Sequence, residues 1–345
     1  MNYRQLTSAL VPLYGRGEAQ AIARIVYEEV FGLSLADVLL GRDEQLTLDE
    51  RSKLENIASQ LLKGTPVQHV LGYADFCGHR FCVGPDVLIP RPETERLVEL
   101  CVDFCRRRMS CRVLDLGTGS GCIAVALALA LPAAHVVGVD VSAAALRVAR
   151  DNASRLCGGG VAFLHHDMLR VAALVAALRG VSAAAGSPCG GVAPAFDVIV
   201  SNPPYIRRSE AASMHANVVD HEPHIALFVP DDDALLFYRA IAATAAACLA
   251  PGGIVAVEVN ASLAGATAAL FSDMGFPARV VKDVFGRERF VVASQGHDDA
   301  YEAAHAAQDG AAAHLPQGVL AQQHAACGHE AREQYAQAQP PDGVE

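Results

Sequence analysis

From residue 111 onward, short and almost wholly apolar runs alternate with helix-like stretches. The runs are RVLDLG (112–117), HVVGVDV (135–141), VAFLHHD (161–167), FDVIVSN (196–202) and GIVAVEV (253–259). Strands apolar on both sides are covered on both sides, and strands joined by helices form a parallel sheet with helices on each face. This half of the chain is therefore predicted to be a doubly wound α/β sheet. Two more strand-like runs, ARVVKDVF and RERFVVAS, flank Gly286 and predict an antiparallel pair at the sheet edge. The apolar run 122–139 imitates a membrane span, but Pro132 and His135 interrupt it and a glycine-rich turn precedes it. A buried helix running into a buried strand gives the same pattern, and the membrane reading is rejected.

The first half of the chain has a different rhythm. In residues 1–75, the segments QAIARIVYEEVFG and LDERSKLENIASQLLKG carry apolar residues at helical spacing, and Gly32 and Gly64 suit helix ends. A small helical domain is predicted there. Gly78, Gly84 and Pro85 punctuate β-prone pieces such as HRFCV, so residues 76–95 are predicted to form a hairpin or linker. A helix is expected from about Thr94 through LVELCVDFC, within a larger domain spanning 96–296. A length of 345 residues suits this division into one large and one small domain. The Ala- and Gly-rich stretch 170–195 reads as an insertion, partly loop. Residues 297–345, poor in large apolar side chains, are expected to be mobile or a frayed helix.

Charge and cysteine usage narrow the partners. The formal net charge is −11, which weakens a general affinity for nucleic acid, although a local basic groove would escape this argument. None of the ten cysteines forms a C-x-x-C pair. Cys101 and Cys105 stand four apart, as two thiols of a metal half-site would, but small apolar core residues give the same spacing and are the reading taken here. With no signal peptide evident, reduced thiols in the cytoplasm are expected. His165/His166 and His221/His224 show no consistent metal spacing and are read as ordinary surface or strand residues.

Two motifs carry chemistry. The first, Val113-Leu114-Asp115-Leu116-Gly117-Thr118-Gly119-Ser120-Gly121, ends a strand and opens a helix. Its glycines permit a sharp turn and close approach to a ligand, and the helix start exposes N–H groups. The spacing is G-x-G-x-G; Cys122 occupies the third glycine position of the dinucleotide fingerprint. The form resembles the first motif of class I methyltransferases, which implies S-adenosylmethionine as cofactor. Asp140, at the end of the second strand, is placed to accept hydrogen bonds from a ribose diol. Asp167, at the end of the third, is placed to meet the adenine amino group, with Met168 beside it.

The second motif, Ser201-Asn202-Pro203-Pro204-Tyr205, follows the fourth strand. Two prolines fix the turn and remove two backbone donors. The side-chain oxygen of Asn202 and the carbonyl of Pro203 can together accept both hydrogens of a planar NH2 group, with Tyr205 packed against it. An amide nitrogen is a poor nucleophile because its lone pair is delocalised into the carbonyl. Holding it in alignment with an electrophilic methyl group is then most of the catalysis.

Asn-Pro-Pro-Tyr with this glycine loop resembles methyltransferases that act on planar nitrogens, both adenine-N6 enzymes and glutamine-N5 enzymes. Pro66-Val67-Gln68-His69-Val70-Leu71-Gly72, Leu88-Ile89-Pro90-Arg91-Pro92-Glu93-Thr94-Glu95 and Asp283-Val284-Phe285-Gly286-Arg287-Glu288-Arg289 narrow the resemblance to the release-factor glutamine methyltransferases, the HemK/PrmC family. It spans roughly residues 10–295. It implies methylation of the glutamine in the Gly-Gly-Gln motif of class I peptide chain release factors. A monomer is the default expectation; the chemistry requires no metal, and the interrupted apolar run and acidic balance lead to no membrane and no stable nucleic-acid binding being expected. Gly117, Thr118, Gly119, Ser120, Gly121, Asp140, Asp167, Met168 and Asn202 would hold the cofactor. Asn202, Pro203, Pro204 and Tyr205 would form the substrate site, with Asn202, Pro203 and Tyr205 catalytic, and the helical domain would help to hold the protein substrate. The Leu88–Glu95 segment is expected to border the pocket. Met168, where the family often has an aromatic, and Asn260, where a glycine is usual, are departures. An adenine-N6 enzyme and a non-catalytic module binding release factor or ribosome are the alternatives.

Overall fold

The structure, a computed structural model, describes residues 1–184, 195–283 and 285–296. The tail expected at 297–345 and the stretch 185–194 of the expected insertion lie outside the described residues.

The N-terminal helices are α1 (Tyr3–Phe31), α2 (Leu35–Leu39), α3 (Leu48–Leu61) and α4 (Val67–Leu71). Asn2, Ser34 and Thr47 each open a helix with a reciprocal capping box. Leu6, Leu10, Ile22, Val26 and Tyr27 of α1 pack with Leu54, Ile57 and Leu61 of α3, a core separate from that of the sheet. The helical path of α1 breaks at Gly15, three residues after Pro12. A hairpin follows, β1 (Tyr73–Phe76) with β2 (His79–Cys82), closed by Cys77-Gly78. Both turn residues have positive φ, 48° and 76°, as a type I′ two-residue hairpin turn requires. The hairpin begins at Tyr73, slightly earlier than the expected boundary at 76, because Gly72 ends α4.

The larger half runs α5 (Glu95–Cys105), β3 (Arg112–Leu116), α6 (Cys122–Ala130), β4 (His135–Asp140), α7 (Ala143–Cys157), β5 (Val161–His165), α8 (Val171–Ala184) and β6 (Phe196–Ser201). It continues through β7 (Ile206–Arg207), α9 (Ala216–Val219), α10 (His224–Leu227), β8 (Phe228–Val229), α11 (Leu236–Cys248), β9 (Leu249–Glu258), α12 (Ala264–Asp273), β10 (Ala278–Lys282) and β11 (Glu288–Ser294). Seven strands form one sheet in the order β10-β11-β9-β6-β3-β4-β5. The five strands from β9 to β5 are parallel, and β10 and β11 close one edge antiparallel, as predicted.

Alternate residues of each strand serve opposite faces. Val113, Val136 and Val198 meet Leu97, Cys101 and Cys105 of α5 and Val125 of α6 on one face. Leu114, Val137 and Ile199 meet Leu174 and Leu178 of α8, Ile241 of α11 and Phe271 of α12 on the other. Cys101 and Cys105 are thus core residues, the plainer of the two readings of their spacing. Within the stretch 170–195, expected to be an insertion and partly loop, residues 171–184 form the regular crossover helix α8. Leu174 and Leu178, four apart, dock it on the sheet, and the surrounding alanines favour helix. The run 122–139 is α6 followed by β4, and among the described residues no helix is long and apolar enough to cross a membrane.

Candidate active site

The chain leaves β3 outward to β4 and β5, then returns to β6 on the other side of β3. A crevice therefore opens at the carboxyl ends of β3 and β6, where strand order reverses. The glycine loop stands at that point. The N–H groups of Gly117 and Thr118 both donate to the Val139 carbonyl at 2.9 Å, which stitches the loop to β4. Gly117 and Gly119 adopt φ of 75° and 56°, a region costly for residues with a Cβ. The close approach also needs Gly138 on β4, because a Cβ there would lie 2.8 Å from the Phe163 ring and 2.9 Å from Thr118 Oγ1. Beneath the loop, fully buried Asp115 accepts a hydrogen bond from Thr118 Oγ1 at 2.6 Å through Oδ2. Its Oδ1 has no hydrogen-bond partner, and burial pushes the carboxyl up to about 7.

Asp140, at the end of β4, holds the loop from the other side. Oδ2 accepts the Gly119 N–H and Oδ1 the Ser142 N–H, each at 2.8 Å. Burial raises its carboxyl above the ordinary range, against the pull of these N–H donors. Asp167 follows β5, and its Oδ1 accepts the Leu169 N–H at 2.9 Å. These groups surround a cavity of about 230 Å3. Of the residues singled out in the sequence, Gly117, Gly119, Asp140, Asp167, Met168, Asn202 and Pro204 line it. Thr118, Ser120, Gly121, Pro203 and Tyr205 do not. Thr118 is occupied with Asp115, Ser120 is buried with an unpartnered Oγ, and Gly121 caps α6. Met168 is buried with its methyl group close above Gly117, where a Cβ would come within 3.1 Å of it.

The Asn-Pro-Pro-Tyr turn leaves β6 with Ser201 Oγ donating to the Leu116 carbonyl at 2.6 Å, which fixes it against β3. Asn202 Nδ2 donates to Thr94 Oγ1 at 3.2 Å, and Thr94 Oγ1 donates to Glu258 Oε2 at 2.7 Å. The Tyr205 hydroxyl donates to Glu258 Oε1 at 3.2 Å and is pushed up by burial and by that carboxylate. Glu258, at the end of β9, is 2% exposed, and burial raises its carboxyl against the pull of Thr94, Arg289 and Tyr205. Asn260 lies two residues beyond this strand in extended backbone, and its side chain accepts from the Ser262 N–H and Oγ at 3.0 and 2.9 Å. That local turn needs no positive φ, so asparagine serves where a glycine is usual.

The far wall comes from two segments distant in sequence. Val87 and Leu88 line the cavity from the segment after the hairpin, and Pro223, Ile225 and Ala226 line it from the start of α10. Glu222 joins them: its Oε2 accepts the Ile89 N–H at 3.1 Å and its Oε1 accepts Arg91 Nη2 at 2.5 Å. Fully buried Asn152 on α7 ties the hairpin to the glycine loop. It pairs with the N–H and carbonyl of Cys82 at 2.7 and 3.0 Å and donates to the Ser120 carbonyl at 2.9 Å.

Thr94 falls within the Leu88–Glu95 segment expected to border the pocket, although no role was read for it; Glu222 and Glu258 were not read as neighbours of the site, nor was His166, which lines the cavity. Position just after a strand end, shared with Asp167, was the available signal for His166. His165, in contrast, turns its Nε2 to the Val141 carbonyl at 2.8 Å, and His224 turns its Nε2 to that of Val219 at 2.9 Å.

Known proteins resemble the chain over most of its length. A family model described as the PrmC N-terminal domain matches residues 3–72, and one described as a methyltransferase domain matches residues 108–258. The chain is 38% identical over 291 residues to the release factor glutamine methyltransferase of Bacteroides thetaiotaomicron, covering 84% of this chain and 98% of that one. It is 36% identical to the protein of the same name from Flavobacterium psychrophilum, covering 84% and 97%. The protein of that name from Deinococcus radiodurans is 35% identical, covering 83% and 93%.

Proposed function

Because this chain belongs to the release factor glutamine methyltransferase family, we propose that it transfers a methyl group from S-adenosylmethionine to the side-chain amide nitrogen (N5) of the glutamine in the Gly-Gly-Gln motif of a class I peptide chain release factor. The observation that carries the reading is Asn202 at the cavity wall, its Nδ2 turned to Thr94. Its Oδ1 is thereby turned elsewhere, available to an NH2 group in the cavity.

The cavity suits the cofactor. A Cβ built on Gly119 meets no protein atom within 4 Å, so the loop backbone borders open space that a ligand can fill. Asp140 and Asp167 provide carboxylate acceptors at neighbouring strand ends, and Met168, Ile225 and Phe237 provide apolar surface for a flat base. Gly117, Gly119, Asp140, Asp167, Met168 and Asn202 are the residues that would hold it. When bound, the cofactor would supply a methyl group on a positively charged sulfonium and would leave as neutral S-adenosylhomocysteine, while the amide nitrogen gives up one of its two hydrogens as a proton. The protein orients the acceptor: Asn202 Oδ1 at the cavity wall is assigned one N–H hydrogen and the adjacent Pro203 carbonyl, though Pro203 does not line the cavity, is assigned the other, which would hold the nitrogen in line with the methyl group. Pro204 lines the cavity beside them, and Tyr205 braces the turn through Glu258. The helical domain, residues 1–75, helps to hold the protein substrate. One chain carries all these groups, so a monomer suffices, and a substrate of translation is met in the cytoplasm.

The test is transfer of labelled methyl from S-adenosylmethionine to purified release factor, beside its Gly-Gly-Gln glutamine→Ala variant and an adenine-containing duplex. Label on the wild-type factor alone supports the reading. Label on the duplex instead overturns it in favour of adenine-N6 chemistry.

A further inference from the structure

An asparagine amide is nearly symmetric in shape but not in polarity. Rotating it by half a turn exchanges an acceptor for a donor. A site that relies on Asn202 as an acceptor must therefore hold one of two nearly isosteric orientations, and the buried groups behind the cavity do this. Glu258 is an acceptor at both oxygens, taking the Thr94 hydroxyl at 2.7 Å and the Tyr205 hydroxyl at 3.2 Å. Thr94, 2% exposed, has one hydroxyl hydrogen and commits it to Glu258. Its oxygen can then only accept from Asn202. An amide turned the other way would set Oδ1 against a hydroxyl oxygen with no hydrogen left to offer, a buried mismatch.

We propose that Thr94 and Glu258 are positioning residues whose hydrogen-bond chain fixes the direction of the Asn202 amide, keeping its oxygen turned to the methyl acceptor. Neither residue touches the reacting atoms in this scheme. Thr94 opens α5 after the Leu88–Pro92 segment, Glu258 ends β9, and Asn202 follows β6, so three separate elements must be assembled before the orientation is set. The inference rests on the proposed role of Asn202 as an acceptor.

Thr94→Val keeps the shape of the side chain and removes its hydrogen bonds, whereas Thr94→Ser keeps the hydroxyl. Thr94→Val is expected to lower kcat about ten- to a hundred-fold, with the dissociation constant for S-adenosylmethionine and KM for the release factor within about two-fold of wild type. Thr94→Ser is expected to keep kcat within about three-fold, a rescue that a purely packing role would not produce. Should the valine variant not fold, Thr94→Ala removes the same hydroxyl and carries the test. A valine or alanine variant with wild-type kcat, or a serine variant as impaired as valine, overturns the inference. Asn202→Ala, assayed alongside, separates the two levels. If it stays active, the acceptor role itself has failed. If it is inactive while Thr94→Val is fully active, only the orienting role has failed.

Discussion

Arg91 and Glu222 lie 131 residues apart in the chain and meet at 2.5 Å, with the Glu222 side chain 1% exposed and that of Arg91 35% exposed. Glu222 also accepts the Ile89 N–H, so a single carboxylate closes the cavity wall where the segment after the hairpin meets the segment before α10. Glu222→Ala strands a backbone donor and one partner of an ion pair. Discounted for the exposure of Arg91, the expected loss is about 1–3 kcal/mol, read from the urea midpoint. KM for the release factor is expected to rise more than kcat falls, because the wall shapes the pocket without touching the reacting atoms. An unchanged midpoint and an unchanged KM would remove this role.

Gly119 separates ligand space from fold. Its φ of 56° gives a residue with a Cβ a strain of about 1–2 kcal/mol, and the added methyl meets no protein atom. Gly119→Ala is therefore expected to fold with a modest drop in melting temperature but to bind S-adenosylmethionine at least about tenfold more weakly, measured by calorimetry. Wild-type affinity would show that the cofactor does not approach this loop.

Much of this arrangement was legible in the sequence because it is local. Apolar runs marked the strands; Asp140 ends β4, and Asp167 lies two residues beyond the end of β5. Asn202 stands out in the sequence because two prolines follow it, and it lines the cavity. Thr94, Glu222 and Glu258 were not legible in the same way, since their partners lie 108 and 164, 133, and 53 residues away and nothing local marks a pairing. Within 170–195, read as an insertion and partly loop from its alanines and glycines, Leu174 and Leu178 carry the helical spacing that docks α8 on the sheet.

Asp115 predicts a pH dependence. Its folded value of about 7 stands above the ordinary carboxylate value of about 3.9, through burial first, with Thr118 opposing. Between these values the folded protein keeps a proton that the unfolded chain has released, so stability falls as pH rises. The contribution is most favourable below about pH 3.9 and is lost above about pH 7, with a span of order 4 kcal/mol. Urea midpoints from pH 5 to pH 8 are expected to fall more steeply for wild type than for Asp115→Asn. Parallel profiles would mean that Asp115 is ionised throughout this range.

Methyl acceptance at one amide nitrogen, with Asn202 turned to receive it, is tested most directly by locating the methyl group. Release factor treated with the enzyme and S-adenosylmethionine would be digested and its peptides sequenced by tandem mass spectrometry. The prediction is one added methyl on the glutamine of the Gly-Gly-Gln motif, absent after treatment with Asn202→Ala enzyme that still binds the cofactor. A methyl group on another residue, or undiminished modification by the Asn202→Ala enzyme, would contradict it.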